Sequence, residues 1–190
     1  MRSQDLITRL RQRDASIREF RAAADELSKA LALESREYMQ KKYGEVVAES
    51  LVLVPILRSG LIMLPSFLQI YPTALVGIVG EARDERTATP HLYYQKLPKL
   101  DKAKKVLLLD PMLATGNSAV LAIQTLKQAG VSEEQLALFS FFAAPEGIDH
   151  FKEKCPKSDL VVVQIDQGLD AHKIIVPGVG DFGDRYFGTL

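Results

Sequence analysis

Asp110-Pro111-Met112-Leu113-Ala114-Thr115-Gly116-Asn117-Ser118 is the stretch whose residue types are best suited to chemistry. An apolar run, Leu107 to Leu109, ends in an acid, and a loop of small residues then opens into a helix-forming segment. Backbone amides in such a loop and at the helix start, with the hydroxyls of Thr115 and Ser118, form a cradle for an anion. Asp110 stands where it would accept from a ribose hydroxyl. The spacing is not that of a Walker loop, because no Gly-Lys pair follows. The residues therefore suit a phosphate, with or without a sugar attached. A tight strand-to-helix turn capped by Ser118 is the alternative that the same residues allow.

Three other turns carry chemistry. Arg58, in Val54-Pro55-Ile56-Leu57-Arg58-Ser59-Gly60, interrupts an apolar stretch. A charge so placed needs a partner: either the oxygens of a bound phosphate, which suit a guanidinium fork, or a carboxylate of the protein. Arg83-Asp84-Glu85-Arg86-Thr87 opens a polar stretch running to Lys96, which reads as a binding lid or as an exposed β-hairpin. Ile174 to Thr189 carries glycines at 178, 180, 183 and 188. It is suited to close approach of main chain to a ligand, to packing over a sheet, or to a subunit contact. His91, His150 and His172 lack ligand spacing to one another or to Cys155, so no zinc site is expected.

These turns need a scaffold. Leu51–Val54, Ala74–Val79, Val106–Leu109, Leu136–Phe142 and Leu160–Ile165 are short apolar runs of the kind found in strands buried on both faces. Helical patterns at Leu61–Ile70, Ser118–Ala129 and Glu146–Lys154 separate several of them, and Gly130 follows the second as a stop. Alternation of this kind predicts an α/β domain with a mostly parallel sheet, whose ligands sit beyond the carboxyl ends of the strands. Ahead of it, Ser16 and Glu19 have capping-box spacing. Ile17, Phe20, Ala24, Leu27, Leu31 and Tyr38 then line one face of a long helix ending near Gly44, which packs on its own domain or offers a partner-binding face.

Composition bounds the rest. The 190 residues include 24 basic and 24 acidic side chains, so the net charge is zero and a strongly basic nucleic-acid binder is not expected. A single cysteine excludes an internal disulfide. The apolar region from Leu51 to Gly80 is broken by Arg58, Pro65, Gln69 and Pro72, which does not suit a membrane span. With no apolar leader at its start, a soluble cytoplasmic protein of one domain is expected.

Taken in order, VPILRSG, EARDERT with downstream YYQKLP, LDPMLATGNSA, AAPEGI and IVPGVGDFGDRYFGT resemble the uracil phosphoribosyltransferase family, and RQRDASIREFR resembles its first segment. The resemblance implies a phosphoribosyltransferase fold with a helical segment over 1–44, an α/β core over 45–165 and a base-binding segment over 166–190. It implies transfer of ribose 5-phosphate from phosphoribosyl pyrophosphate (PRPP) to uracil, in pyrimidine salvage. Arg58, Arg83, Asp181 and the loop Asp110 to Ser118 would bind PRPP. Ile175, Gly180, Asp181 and Phe182 would bind uracil, and Asp181, Arg83 and Asp110 would be catalytic. It further implies Mg2+ brought by PRPP rather than by a side-chain motif, a possible GTP activator, and a homodimer or homotetramer. A catalytically inactive regulatory protein of the same fold is the alternative. Phe182 stands where many bacterial members have alanine, Ser59 where alanine is usual and Asn117 where glycine is usual. The segment from Tyr43 to Leu53 is shorter than the corresponding arm.

Overall fold

The computed structural model describes residues 3–44, 50–83, 90–101 and 104–189, with the side chains of Arg83 and Pro90 outside the description. Two helices open the chain, α1 (Ser3–Arg11) and α2 (Ile17–Tyr43). The capping box is formed: the Ser16 hydroxyl oxygen accepts from the Glu19 amide at 3.3 Å, and the Glu19 carboxylate accepts from the Ser16 amide at 2.9 Å. Gly44, at φ 71°, ends the helix with its amide donating to Gln40 O. Phe20, Ala24, Leu27 and Leu31 are buried in the domain's own core and Tyr38 packs against it, so this face belongs to the fold rather than to a partner, whereas Ile17, at the helix start, is exposed. Helix α1 was not delineated by the sequence pattern.

The core follows as β1 (Leu51–Leu57), α3 (Leu64–Ile70), β2 (Leu75–Val76), β3 (Ile78–Arg83), β4 (Pro90–Lys96), β5 (Lys105–Leu109), β6 (Met112–Leu113), α4 (Asn117–Gln128), β7 (Leu136–Ala143), α5 (Pro145–Lys154) and β8 (Asp159–Ile165). A small antiparallel pair, β9 (Gly168–Leu169) and β10 (Ile175–Val176), and a last helix, α6 (Phe182–Phe187), complete it. Strands β1, β5 and β7 are parallel neighbours at the centre, with β8 parallel beyond β7. On the far side of β1 run β2 and then β3, also parallel, and β4 returns antiparallel to β3.

The alternation of side chains along each strand divides the core into two. Leu51, Leu53, Leu107, Leu109, Phe139 and Phe141 face α1, α2, α3 and α6, whereas Val52, Val54, Val106, Leu108 and Leu138 face α4 and α5. Each such buried side chain contributes about 1.5–3 kcal/mol. The three layers are thus helices, sheet and helices.

Three expectations are corrected. The run Ala74–Val79 is two strands, β2 and β3, separated at Gly77, whose amide still donates to Leu53 O of β1 at 2.9 Å, and Leu75 and Val76 are exposed rather than buried. Strand β8 is only partly buried, since within the described residues it pairs on one side alone, with β7. The stretch Leu61–Ile70 is not one helix. A tight 3-10 turn over Ser59–Ile62 precedes α3, because Pro65 lacks an amide hydrogen and its ring suits the first turn of an α-helix. Strands β3 and β4 pair antiparallel as far as Arg83 and Pro90, an arrangement that fits the hairpin reading. The residues between these strands, Asp84 to Thr87 among them, lie outside the described set.

Candidate active site

Where the sheet's parallel strands end, β1, β5 and the C-terminal segment enclose a cleft of about 400 Å3. Its geometry starts at β5. Asp110 follows the last residue of that strand, is 8% exposed, and turns a carboxylate oxygen toward the Ser59 hydroxyl and the Met112 amide, each at 3.4 Å. The loop beyond is fixed by backbone. Pro111 O accepts from the amides of Phe141 and Phe142 at 3.1 and 3.0 Å, and Leu113 O accepts from Ala144 at 3.0 Å.

Gly116 begins α4 at φ 81°, with no side chain bonded to the helix start. Ser118 is therefore not the cap that the alternative reading required. Uncapped first-turn amides with the positive end of the helix dipole behind them are suited to an anion. The cradle is braced from below by α5. A Cβ on Gly147 would lie 2.3 Å from Ala114 O and one on Gly116 2.8 Å from Gly147 O, so two backbones touch where no side chain fits.

Arg58 follows β1, and of the two partners that the sequence left open the protein itself supplies the carboxylate. Its guanidinium reaches the cleft and also donates to Asp184 of α6 at 2.8 Å and to the Thr189 hydroxyl at 3.3 Å. The Thr189 hydroxyl and Arg58 hold the Asp184 carboxyl below the usual carboxylate range.

The C-terminal segment forms the opposite wall. Gly178, at φ 47°, sits where a Cβ would lie 2.1 Å from Ile175 O, so only glycine permits this turn. Ile175 and Phe182 are each 2% exposed. The Phe182 ring packs edge-on against Phe20 at 5.0 Å, so it supports the wall and leaves backbone to face the cleft. Asp181 caps α6 by accepting from the Asp184 amide at 2.8 Å.

The cleft thus brings together Arg58, Asp110, Met112, Ala114, Ser118, Ile175, Gly180, Asp181 and Phe182. Pro111 and Leu113 are buried, with the Leu113 side chain in the core facing α4 and α5. These two face a ligand through main chain at most. Thr115, Gly116 and Asn117 lie on the same loop, outside the residues that bound the cleft. Arg83 ends β3, and its side chain lies outside the described set.

Sequence reasoning missed Ser59, Glu81 and Lys173 as cleft residues. Ser59 and Glu81 were inside quoted motifs, but nothing in their spacing separated them from neighbours. Lys173 has a backbone signal that sequence does not show, a φ of 65°.

Similarity to known proteins agrees with this construction. The family model described as uracil phosphoribosyltransferase matches residues 2–189. A uracil phosphoribosyltransferase of Dictyoglomus thermophilum is 39% identical over 98% of this chain and 95% of its own length. One from Lactococcus lactis is 39% identical over 95% of this chain and 91% of its own. Among solved structures, the AQ2163 protein of Aquifex aeolicus superposes with a TM-score of 0.86 at 33% identity, covering 97% of this chain and 93% of that one. A purine phosphoribosyltransferase from Pyrococcus horikoshii, at 18% identity and a TM-score of 0.51, covering 74% of this chain and 81% of that one, shares the fold. With the motifs in order, the cleft at the strand ends and these matches over nearly the full length, the chain belongs to the uracil phosphoribosyltransferase family.

Proposed function

We propose that this protein is a uracil phosphoribosyltransferase that converts uracil and PRPP to UMP and pyrophosphate. The observation that carries the reading is the meeting of three elements in one cleft: the Asp110–Ser118 loop, Arg58 and the Ile175–Phe182 segment. The loop takes the 5-phosphate on its amides while Asp110 accepts from the ribose hydroxyls. Arg58 faces the pyrophosphate, with Arg83 assigned beside it. In the reaction the bond from the anomeric carbon to pyrophosphate breaks, a bond to N1 of uracil forms, and the N1 proton leaves. Positive charge develops on the sugar and negative charge on the leaving group, so a fixed guanidinium stabilises the transition state more than the ground state.

Ile175 and Phe182 offer no polar side-chain atoms, so backbone donors and acceptors of Ile175 to Phe182 would read the imide edge of uracil. Cytosine inverts part of that pattern and would leave buried groups unpaired. Asp181 stands between the two substrates.

Among the described residues no group of three acids, histidines or cysteines could cage a metal. Glu81, Asp110 and Asp181 bound the cleft with carboxyl groups. That donor set fits an Mg2+ held mainly by diphosphate oxygens, where it would offset negative charge on the leaving group. A homodimer or homotetramer and a GTP activator belong to the same reading. Leu92, Tyr93 and Tyr94 of β4, exposed by 37%, 55% and 45%, supply apolar surface for assembly. No helix among the described residues is long and apolar enough to cross a membrane, and we place the protein in the cytoplasm.

UMP formation tests the reading, measured with Mg2+ against cytosine, orotate and hypoxanthine in parallel and with chelator as control. Product from uracil alone is expected, lost on chelation. Absence of product with every base, from folded protein that still binds PRPP, would overturn it in favour of a regulatory role.

A further inference from the structure

We infer that Asp166, which lies outside the cleft, is a positioning residue that sets the base-binding backbone through Gly178. The inference rests on the reading that Ile175 to Phe182 receives the pyrimidine.

Asp166 follows β8, and its own amide donates to Ala143 O at the end of β7 at 2.9 Å, so it is pinned to the sheet. Its side chain is 1% exposed. A carboxylate in that position is costly unless both oxygens are satisfied, and each has a partner. One oxygen accepts from the Gly178 amide at 2.9 Å. The other pairs with the guanidinium of Arg11, the last residue of α1. Arg11 in turn lies over the Phe142 ring, 5.8 Å from its centroid.

The next residue is held from α6. The Arg185 guanidinium donates to Val179 O at 2.9 Å and also to Leu10 O and Gln12 O, each at 2.6 Å. Residues 178 and 179 are therefore fixed by an anion and a cation that both return to the end of α1. Two and three residues further on, Gly180 and Asp181 enter the cleft.

A buried carboxylate that bonds the one turn amide leading into a binding segment constrains where the following donors and acceptors point. Recognition by backbone tolerates only about 0.5 Å of error. Asp166 touches neither the phosphate loop nor Arg58 in any contact described, and only Asp181 of the segment beyond Gly178 is assigned to PRPP, so the influence of Asp166 falls on the base far more than on PRPP.

The test is a split of Michaelis constants in Asp166→Ala and Asp166→Asn, with melting curves to confirm the folded fraction. For Asp166→Ala the KM for uracil rises about tenfold or more while that for PRPP stays within about twofold. Asp166→Asn keeps an oxygen for the Gly178 amide but loses the charge facing Arg11, so its uracil KM falls between Ala and wild type. Two KM values that stay unchanged, or rise together, overturn the inference. If Asp166→Ala does not fold, Asp166→Asn carries the test by itself: it leaves no buried charge unpaired, since Arg11 is partly exposed, and raises the uracil KM alone, by about threefold, and no shift overturns the inference. Wild-type protein that forms no UMP would remove the underlying reading. Wild-type protein that forms UMP beside variants with normal uracil KM would remove this inference only.

Discussion

Arg58 and Asp184 form an ion pair, 2.8 Å between nitrogen and oxygen, that ties the end of β1 to the first turn of α6. The Thr189 hydroxyl completes the set, donating to the same Asp184 oxygen at 2.6 Å while accepting from Arg58 at 3.3 Å. A cation that bounds the cleft is therefore held by a carboxylate of the C-terminal helix.

The pH dependence of this pair has a definite sign. The Asp184 carboxyl is held low in the folded protein, first by Thr189 and then by Arg58. Its contribution is present above the unfolded carboxyl pKa of about 4 and is lost as pH falls through the lower folded value. Urea melts of wild type and Asp184→Asn should differ by about 1 kcal/mol or less at pH 7, since the pair is partly exposed. The difference should shrink to nothing in acid. A gap that widens toward acid would contradict the ion pair as the cause.

Asp181→Asn separates capping from catalysis. Asparagine offers the same oxygen to the Asp184 amide and caps as well as aspartate, so stability should hold within about 0.5 kcal/mol. Turnover should fall by about a hundredfold, the scale of a lost acid–base or charge-stabilising group. Steady-state rates beside a melting curve decide it, and normal turnover would refute the catalytic assignment.

Gly147→Ala probes the brace beneath the phosphate loop. Its new methyl would lie 2.3 Å from Ala114 O and 2.8 Å from Leu113 O, both backbone atoms that cannot swing aside. A cost of about 1–3 kcal/mol is expected. PRPP affinity, measured by calorimetry, should weaken by about tenfold as the cradle amides move. Unchanged PRPP binding would show that the loop does not depend on α5.

Lys173→Gly should separate strain from charge. The residue holds φ 65°, a conformation that disfavours a side chain by about 1–2 kcal/mol. The gain is partly offset by the greater freedom of glycine in the unfolded chain. Thermal stability should hold or rise slightly. The KM for PRPP should rise severalfold, because an ammonium at the cleft is lost. A fall in stability with unchanged KM would make Lys173 a structural residue only.

Residue types and their local spacing determined much of this protein. The acid, small residues and glycine of Asp110 to Ser118 specify a strand-to-helix turn suited to an anion, because helix-start amides and glycine conformations are properties of a few adjacent residues. The capping box of Ser16 and Glu19 and the alternating faces of β1, β5 and β7 are local in the same sense. Periodicity could not show that Leu75 and Val76 are exposed or that β8 is half-covered. A buried strand and an edge strand carry the same apolar run, and only the neighbour that does or does not arrive distinguishes them. The site's supports are equally nonlocal. Arg58 meets Asp184 across 126 positions of chain and Arg11 meets Asp166 across 155. Residue types marked Asp110 to Ser118 as suited to a phosphate, and the family resemblance alone marked Ile175 to Phe182 as the base segment. Only the tertiary structure decided which charges hold those segments in place, because such pairing depends on how helices and sheet pack, and no local pattern encodes that distance.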